Sequence, residues 1–229
     1  MLAAEGALPT GDGWALEIKV DGQRLLAGND DGQLRLWSRS GQLVTTCFPE
    51  LVPLAAQLPP GTLVDGEVAV FDEEGISRLA LIRRRIGGLG TVEQRTTWPV
   101  TFVMFDLLRL PGRDTMQLPY IERRRLLERL GLSGLHWRTP HYHVGEAERL
   151  FAATRQRGLE GLVAKRLDSP YLPGQRSQAW LKLKHRRQER FAVVGWRRNP
   201  GGAVSSILVA EPEPCGGLTY RGSVTNGIS

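Results

Sequence analysis

Glu17-Ile18-Lys19-Val20-Asp21-Gly22-Gln23-Arg24 is the stretch that decides how this chain is read. Its lysine is one of only four in 229 residues, the others being Lys165, Lys182 and Lys184, although Lys and Arg together number 30. The chain therefore uses arginine almost everywhere it needs a positive charge. Arginine keeps its proton in a protein, whereas a lysine amine can be desolvated or crowded until it becomes a nucleophile. A lysine retained at position 19 points to amine chemistry there. On an extended strand residues 17, 19 and 21 share one face. Glu17 and Asp21 are thus expected beside the amine, with a salt bridge to Arg24 or Arg39 as the alternative use of either. Gly22 permits a close backbone turn immediately afterwards.

Outward from this stretch, strand signals dominate. Residues 14–20, 33–38, 63–71, 100–107, 161–165 and 180–184 are short apolar or alternating runs bounded by Gly, Pro or Asp. Asn29-Asp30-Asp31-Gly32 reads as a hairpin turn between the first two, because Asp-Gly accepts the positive φ angles of a tight reversal. Residues 119–130 and 145–156 read as amphipathic helices, with weaker helical patterns at 49–58 and 75–85. Several strands and a few helices without a βαβ rhythm predict an α+β fold of largely antiparallel sheets. The net charge of +6 suits a polyanionic partner. There is no apolar run of about 18 residues and no basic-then-apolar N-terminus, so neither a membrane span nor a leader is read. Cys47 and Cys215 lack C-x-x-C spacing and read as ordinary thiols of a reducing cytoplasm. His141 and His143 lack the further ligands a metal site needs.

Five further elements follow Lys19-Val20-Asp21-Gly22-Gln23-Arg24: Ser38-Arg39, Asp65-Gly66-Glu67, Phe102 to Asp106, Glu160-Gly161-Leu162-Val163, and Leu181-Lys182-Leu183-Lys184. In this order and spacing the set resembles the motifs of the covalent nucleotidyltransferases, the superfamily of ATP-dependent DNA ligases, RNA ligases and mRNA capping enzymes. The wording around them is closest to bacterial ATP-dependent DNA ligases of the end-joining type, notably in Gly158 to Arg166 and Ser169 to Ser177.

The resemblance implies a nucleotidyltransferase (ATP-grasp-like) domain of antiparallel sheets with flanking helices over 1–187, then part of an all-β OB-fold over 188–229. It implies that Lys19 attacks the α-phosphorus of ATP and becomes lysyl-AMP. At the ordinary lysine value near about 10.4 an amine is almost wholly protonated, so the family's site must favour the neutral form. Glu17, Asp21, Gly22, Arg24, Arg39, Glu67, Phe105, Lys182 and Lys184 match nucleotide-pocket positions: Arg24 and Arg39 near ribose and phosphates, Glu67 at the ribose hydroxyls, Phe105 stacked on adenine, the two lysines on phosphate. Phe102 is expected on the core side of the same strand. Glu160 matches a ligand for Mg²⁺ or Mn²⁺, a role that suits a carboxylate beside phosphate oxygens. Lys165 is left between a pocket role and a surface charge. Arg83 to Arg85, Arg123 to Arg125 and His185 to Arg187 are basic runs that suit DNA phosphates; the site set retains Arg176, His185, Arg186 and Arg187.

The expected partners are nicked or broken double-stranded DNA and a DNA end-binding repair protein, with no membrane, a monomeric state and a cytoplasmic, nucleoid-associated location. Only about three barrel strands fit after residue 187, where an OB barrel has five, so a fragment or a truncated protein is expected. The alternatives are an RNA ligase, a capping-type nucleotidyltransferase, or a non-catalytic DNA-end-binding remnant.

Overall fold

The computed structural model describes residues 1–87, 91–185, 190–213 and 216–228. By its internal contacts the chain divides into two units, Met1–His185 and Arg186–Ser229. The longer elements of the first unit are strands β1 (Leu2–Glu5), β2 (Trp14–Ile18), β3 (Gln23–Asp30), β4 (Gln33–Ser38), β5 (Leu63–Val70), β6 (Val100–Leu110), β7 (Gly161–Arg166) and β8 (Arg176–Lys184), with helices α1 (Leu79–Gly87), α2 (Val92–Thr97), α3 (Tyr120–Arg129) and α4 (Ala147–Gln156). The second unit is a three-stranded antiparallel sheet, β9 (Ala192–Arg198), β10 (Val204–Pro212) and β11 (Leu218–Val224). The expected α+β class is what the chain adopts. The weak pattern at 49–58 forms a 3₁₀ helix, Pro49–Ala56.

Two sheets build the first unit. One runs β1-β8-β7-β2 and ends on the short strand His143–Val144; β1 lies parallel to β8 and the other pairs are antiparallel. The other runs β4-β3-β5-β6 and continues into the short strands Trp137–Arg138 and Ser133–Gly134. The Asp31-Gly32 reversal is present, with φ of 48° and 86°, and Gly32 N–H donates to Asn29 Oδ1 at 2.7 Å. It joins β3 to β4, however, and not the strand that carries Glu17. That strand stops at Ile18, and the chain crosses from one sheet to the other through residues 19–22. Gly22 explains the crossing: a Cβ there would stand 2.3 Å from the Val68 carbonyl oxygen, so only glycine passes so close under β5.

Strand alternation sorts the side chains. On β6, Phe102 and Met104 enter a core cluster with Leu25, Val68, Phe48 and Leu127, while Val103 and Phe105 face a pocket on the opposite side. A second cluster packs Leu16, Leu162 and Leu183 against Leu150 and Phe151 of α4.

Two of the arginine runs send members into the core. Arg123 is wholly buried, pairs with buried Asp106 at 2.8 Å and donates to the Leu118 and Ser169 carbonyls. Arg124 lies over the Tyr142 ring, and Arg85 pairs with Glu50 at 3.0 Å. A helix turns some residues of any run inward, and arginine's planar fork suits it to a buried pair. Arg83, Arg84 and Arg125 remain exposed.

Candidate active site

The two sheets of the first unit enclose a pocket of about 430 Å³. Its wall includes Glu17, Lys19, Gly22, Arg24, Arg39, Glu67, Phe105, Arg176 and Lys182 from the sequence-predicted set. Each arrives by a different route. β2 delivers Glu17 and leads into Lys19, whose backbone N–H is held by the Gly161 carbonyl at 3.0 Å. β3 supplies Arg24, β5 Glu67, β6 Phe105 and β8 Lys182.

Glu160 and Lys184 are off that wall but adjoin it through Lys19, at its more exposed end: the Lys19 ammonium is 2.6 Å from Glu160 Oε2, and Lys184 reaches Oε1 of the same carboxylate at 2.7 Å. The hydrogen bond to Glu160 raises the Lys184 pKa. Lys182 pairs loosely with exposed Glu5 at 3.3 Å. Exposed Arg39 has no hydrogen bond or ion pair among the described residues, so its guanidinium is available to a ligand. Burial pushes Glu67 up to about 7 against the pull of Lys19 and Arg24. Among the described residues no cluster of three or more His, Cys, Asp or Glu could hold a metal. A single carboxylate still fits a hard cation that takes its remaining ligands from phosphate oxygens and water.

The deep end is built differently. Glu17 is buried, accepts a short hydrogen bond from the Tyr120 hydroxyl, and meets Lys165 Nζ at 2.6 Å. Neither Arg24 nor Arg39 is its partner. Lys165 is not a surface residue: it is 1% exposed, and its ammonium lies 4.2 Å from the Phe105 ring centre and 4.5 Å from that of Trp180. Burial lowers its pKa, and Glu17 opposes the shift. Lys165 is the pocket residue that the motif-based site set lacked. Among the described residues the buried Trp180 indole N–H and Gln23 Oε1 have no hydrogen-bond partner, and both residues line the pocket.

Three of the expected site residues are also engaged within the fold. Asp21 is off the pocket wall, because β2 ends before it and its carboxylate instead accepts the N–H of Leu79 at 3.1 Å. Arg24 spends its donors on buried Asp65 (Nε to Oδ1, 2.9 Å), the Met1 carbonyl and the Tyr171 hydroxyl (3.2 Å). His185 stacks on Phe151 with ring centres 4.1 Å apart, and its Nε2 meets Thr154 Oγ1 at 2.9 Å, so the ring is docked on α4. Desolvation and neighbouring Arg155 lower its pKa. Arg176 is exposed at the pocket rim and donates to the Ala3 carbonyl. Arg186, Arg187 and Cys215 lie outside the described residues.

Residues 3–184 match the ATP dependent DNA ligase domain family. The chain belongs to that family. At the family level the RNA-ligase and capping-type alternatives fall away. Among relatives, the multifunctional non-homologous end joining DNA repair protein LigD of Mycobacterium tuberculosis (strain H37Rv) is 39% identical over 235 residues, covering 100% of this chain and 30% of that protein. The Pseudomonas aeruginosa LigD is 32% identical over 96% of this chain and 26% of its own length. This ligase-family chain thus spans under a third of those two relatives. A solved mycobacterial DNA ligase D complexed with ATP and MES is similar at 38% identity and a TM-score of 0.73, over 100% of this chain and 72% of that one. No helix of the described residues is long and apolar enough to cross a membrane.

Proposed function

We propose that this chain is the adenylylating core of a bacterial end-joining DNA ligase, and that Lys19 is the residue that carries AMP. The observation behind this is convergence: an amine, a ribose-type carboxylate, an aromatic face and phosphate-type cations share one pocket. Lys19 Nζ attacks the α-phosphorus of ATP; a P–N bond forms, the bond to pyrophosphate breaks, and the amine loses its proton. AMP then passes to a DNA 5′-phosphate, and a 3′-hydroxyl displaces it to seal the strand. The Lys19–Glu160 pair must open before the amine attacks. Lys182, Lys184 and Arg39 stabilise the charge that builds on the phosphates. Glu160 would hold Mg²⁺ or Mn²⁺, which when bound neutralises phosphate charge.

At the deep end Phe105 takes the adenine face. Glu17 is acceptor-only as a carboxylate, and Lys165 favours that charged form. It therefore accepts from a 6-amino group and repels a 6-oxo group, which selects ATP over GTP. Glu67 accepts from the ribose hydroxyls. The sheet β9-β10-β11 is read as the first part of an OB domain, making 1–187 and 188–229 the two domains. Nicked or broken duplex DNA is the substrate, bound by rim arginines such as Arg176, with a DNA end-binding protein as partner. The chain acts as a monomer in the cytoplasm, at the nucleoid.

Incubation with α-labelled ATP and Mg²⁺ should leave an acid-labile label on the chain, and labelled GTP should leave little. Lys19→Ala and Lys19→Arg should take none, since a guanidinium cannot replace the amine. Robust labelling of Lys19→Arg would overturn the assignment.

A further inference from the structure

The span from Lys19 to Gly22 carries the nucleophile between the two sheets, and it is fastened in its middle by residues outside the pocket. The Asp21 backbone N–H donates to Ser77 Oγ at 2.8 Å. The Asp21 carboxylate, in turn, accepts the N–H of Leu79 at 3.1 Å. Leu79 opens α1, whose first N–H groups have no partner within the helix, so a carboxylate there is held by hydrogen bond and by the helix dipole. Ser77 is itself fixed. After β5 the chain reverses through Asp72–Ile76, where Asp72 N–H reaches the Ile76 carbonyl at 2.9 Å, Asp72 Oδ1 accepts the Ile76 N–H at 2.8 Å, and Gly75 takes φ 73°. Ser77 then forms a bridge with Phe71.

We propose that Ser77 is a positioning residue for adenylylation: with Asp21 and the start of α1 it braces the loop that aims Lys19. The inference rests on Lys19 being the group adenylylated, and Ser77 itself lies off the pocket wall. The physical reason is geometric. An attacking amine must sit about 3–3.5 Å from phosphorus and in line with the leaving oxygen, and a misplacement of about 1 Å costs on the order of 10²-fold. A backbone hold two residues from the lysine sets the direction in which its side chain leaves the chain. Asp21 thereby acts as a brace instead of a pocket ligand.

The test compares Ser77→Ala and Ser77→Thr with the unaltered 229-residue chain. At saturating ATP, Ser77→Ala should form lysyl-AMP roughly tenfold more slowly or worse, with the ATP concentration for half-maximal rate changed by no more than about twofold. Ser77→Thr keeps the hydroxyl and should restore most of the rate. Amide hydrogen exchange over residues 19–22 should speed up in Ser77→Ala and not in Ser77→Thr. An unchanged rate in Ser77→Ala, a Thr variant as slow as the Ala variant, or unchanged exchange over 19–22 would each overturn the proposal. If the unaltered chain took no label, the adenylylation reading would fall by itself, and the exchange comparison would still decide the brace.

Discussion

The two ends of the pocket each hold a carboxylate 2.6 Å from a lysine, yet they are different devices. At the deep end Lys165 and Glu17 are 2% and 5% exposed at their side chains, ringed by Phe105, Tyr120 and Trp180. At the mouth Lys19 and Glu160 are 20% and 19% exposed, and Lys184 shares the same carboxylate. A buried pair whose remaining bonds are satisfied has nowhere to go; losing one member leaves an uncompensated charge in a medium that cannot solvate it. A pair one-fifth exposed is reached by water and can exchange partners more readily than a buried one. Burial thus makes the same contact a fixture at one end and a more releasable one at the other, which suits the base-template and catch roles proposed for them.

The sharpest way to break this comparison is to remove one lysine from each end. Lys165→Ala should lower unfolding free energy by about 3 kcal/mol or more, as for other broken buried pairs, measured by urea titration. Lys184→Ala should cost no more than about 1 kcal/mol on the same assay. If both variants lose stability equally, the two ends are not distinct.

Next in size is the effect on rate. Lys182→Ala and Lys184→Ala should each slow lysyl-AMP formation by roughly 10²-fold, the scale of a lost electrostatic contact in a preorganised site. Single-turnover labelling reads this directly. Equal, small effects would mark both as surface charges. Glu17→Gln sharpens the contrast from the deep end: an amide offers a donor as well as an acceptor, so the preference for ATP over GTP should narrow.

A further contrast comes from Glu67, whose folded pKa of about 7 stands above its ordinary 4.5. Below the ordinary value both folded and unfolded chains hold the proton, and the group costs nothing. As pH rises to the folded value the unfolded chain releases its proton first, so stability falls across that window. Glu67→Gln has no such titration. The stability of unaltered chain minus variant should therefore drop between these two pH values, and a flat difference would place Glu67 in a wetter setting.

The resemblance to ligase motifs made the mouth and walls legible, and strand periodicity sorted neighbouring residues within them. Phe102 against Phe105, and Lys182 beside Lys184, follow from which residues share a face of an extended chain. The roles of Asp21 and Lys165 depend on distant elements instead. Asp21 turned from pocket to helix end because Leu79, 58 positions on, docks against it. Lys165 is buried because β6, α3 and β8 each bring it an aromatic ring. One signal did exist: a chain that spares its lysines kept this one. The arginine runs misled for the opposite reason, since adjacent like charges suggest a solvated face while a helix sends some of them into the core, as with Arg123.

The crossing at residues 19–22 has a practical consequence for anyone preparing this protein. On the proposed reading, Lys19 becomes a competent nucleophile only where β2 and β3, members of different sheets, are both in place and docked. A molecule in which one sheet has formed without the other has the lysine but not its surroundings. Covalent labelling therefore counts fully folded molecules one by one. The ratio of bound AMP to polypeptide becomes a quality measure for each batch, and following that ratio during refolding reports when the two halves of the unit have come together.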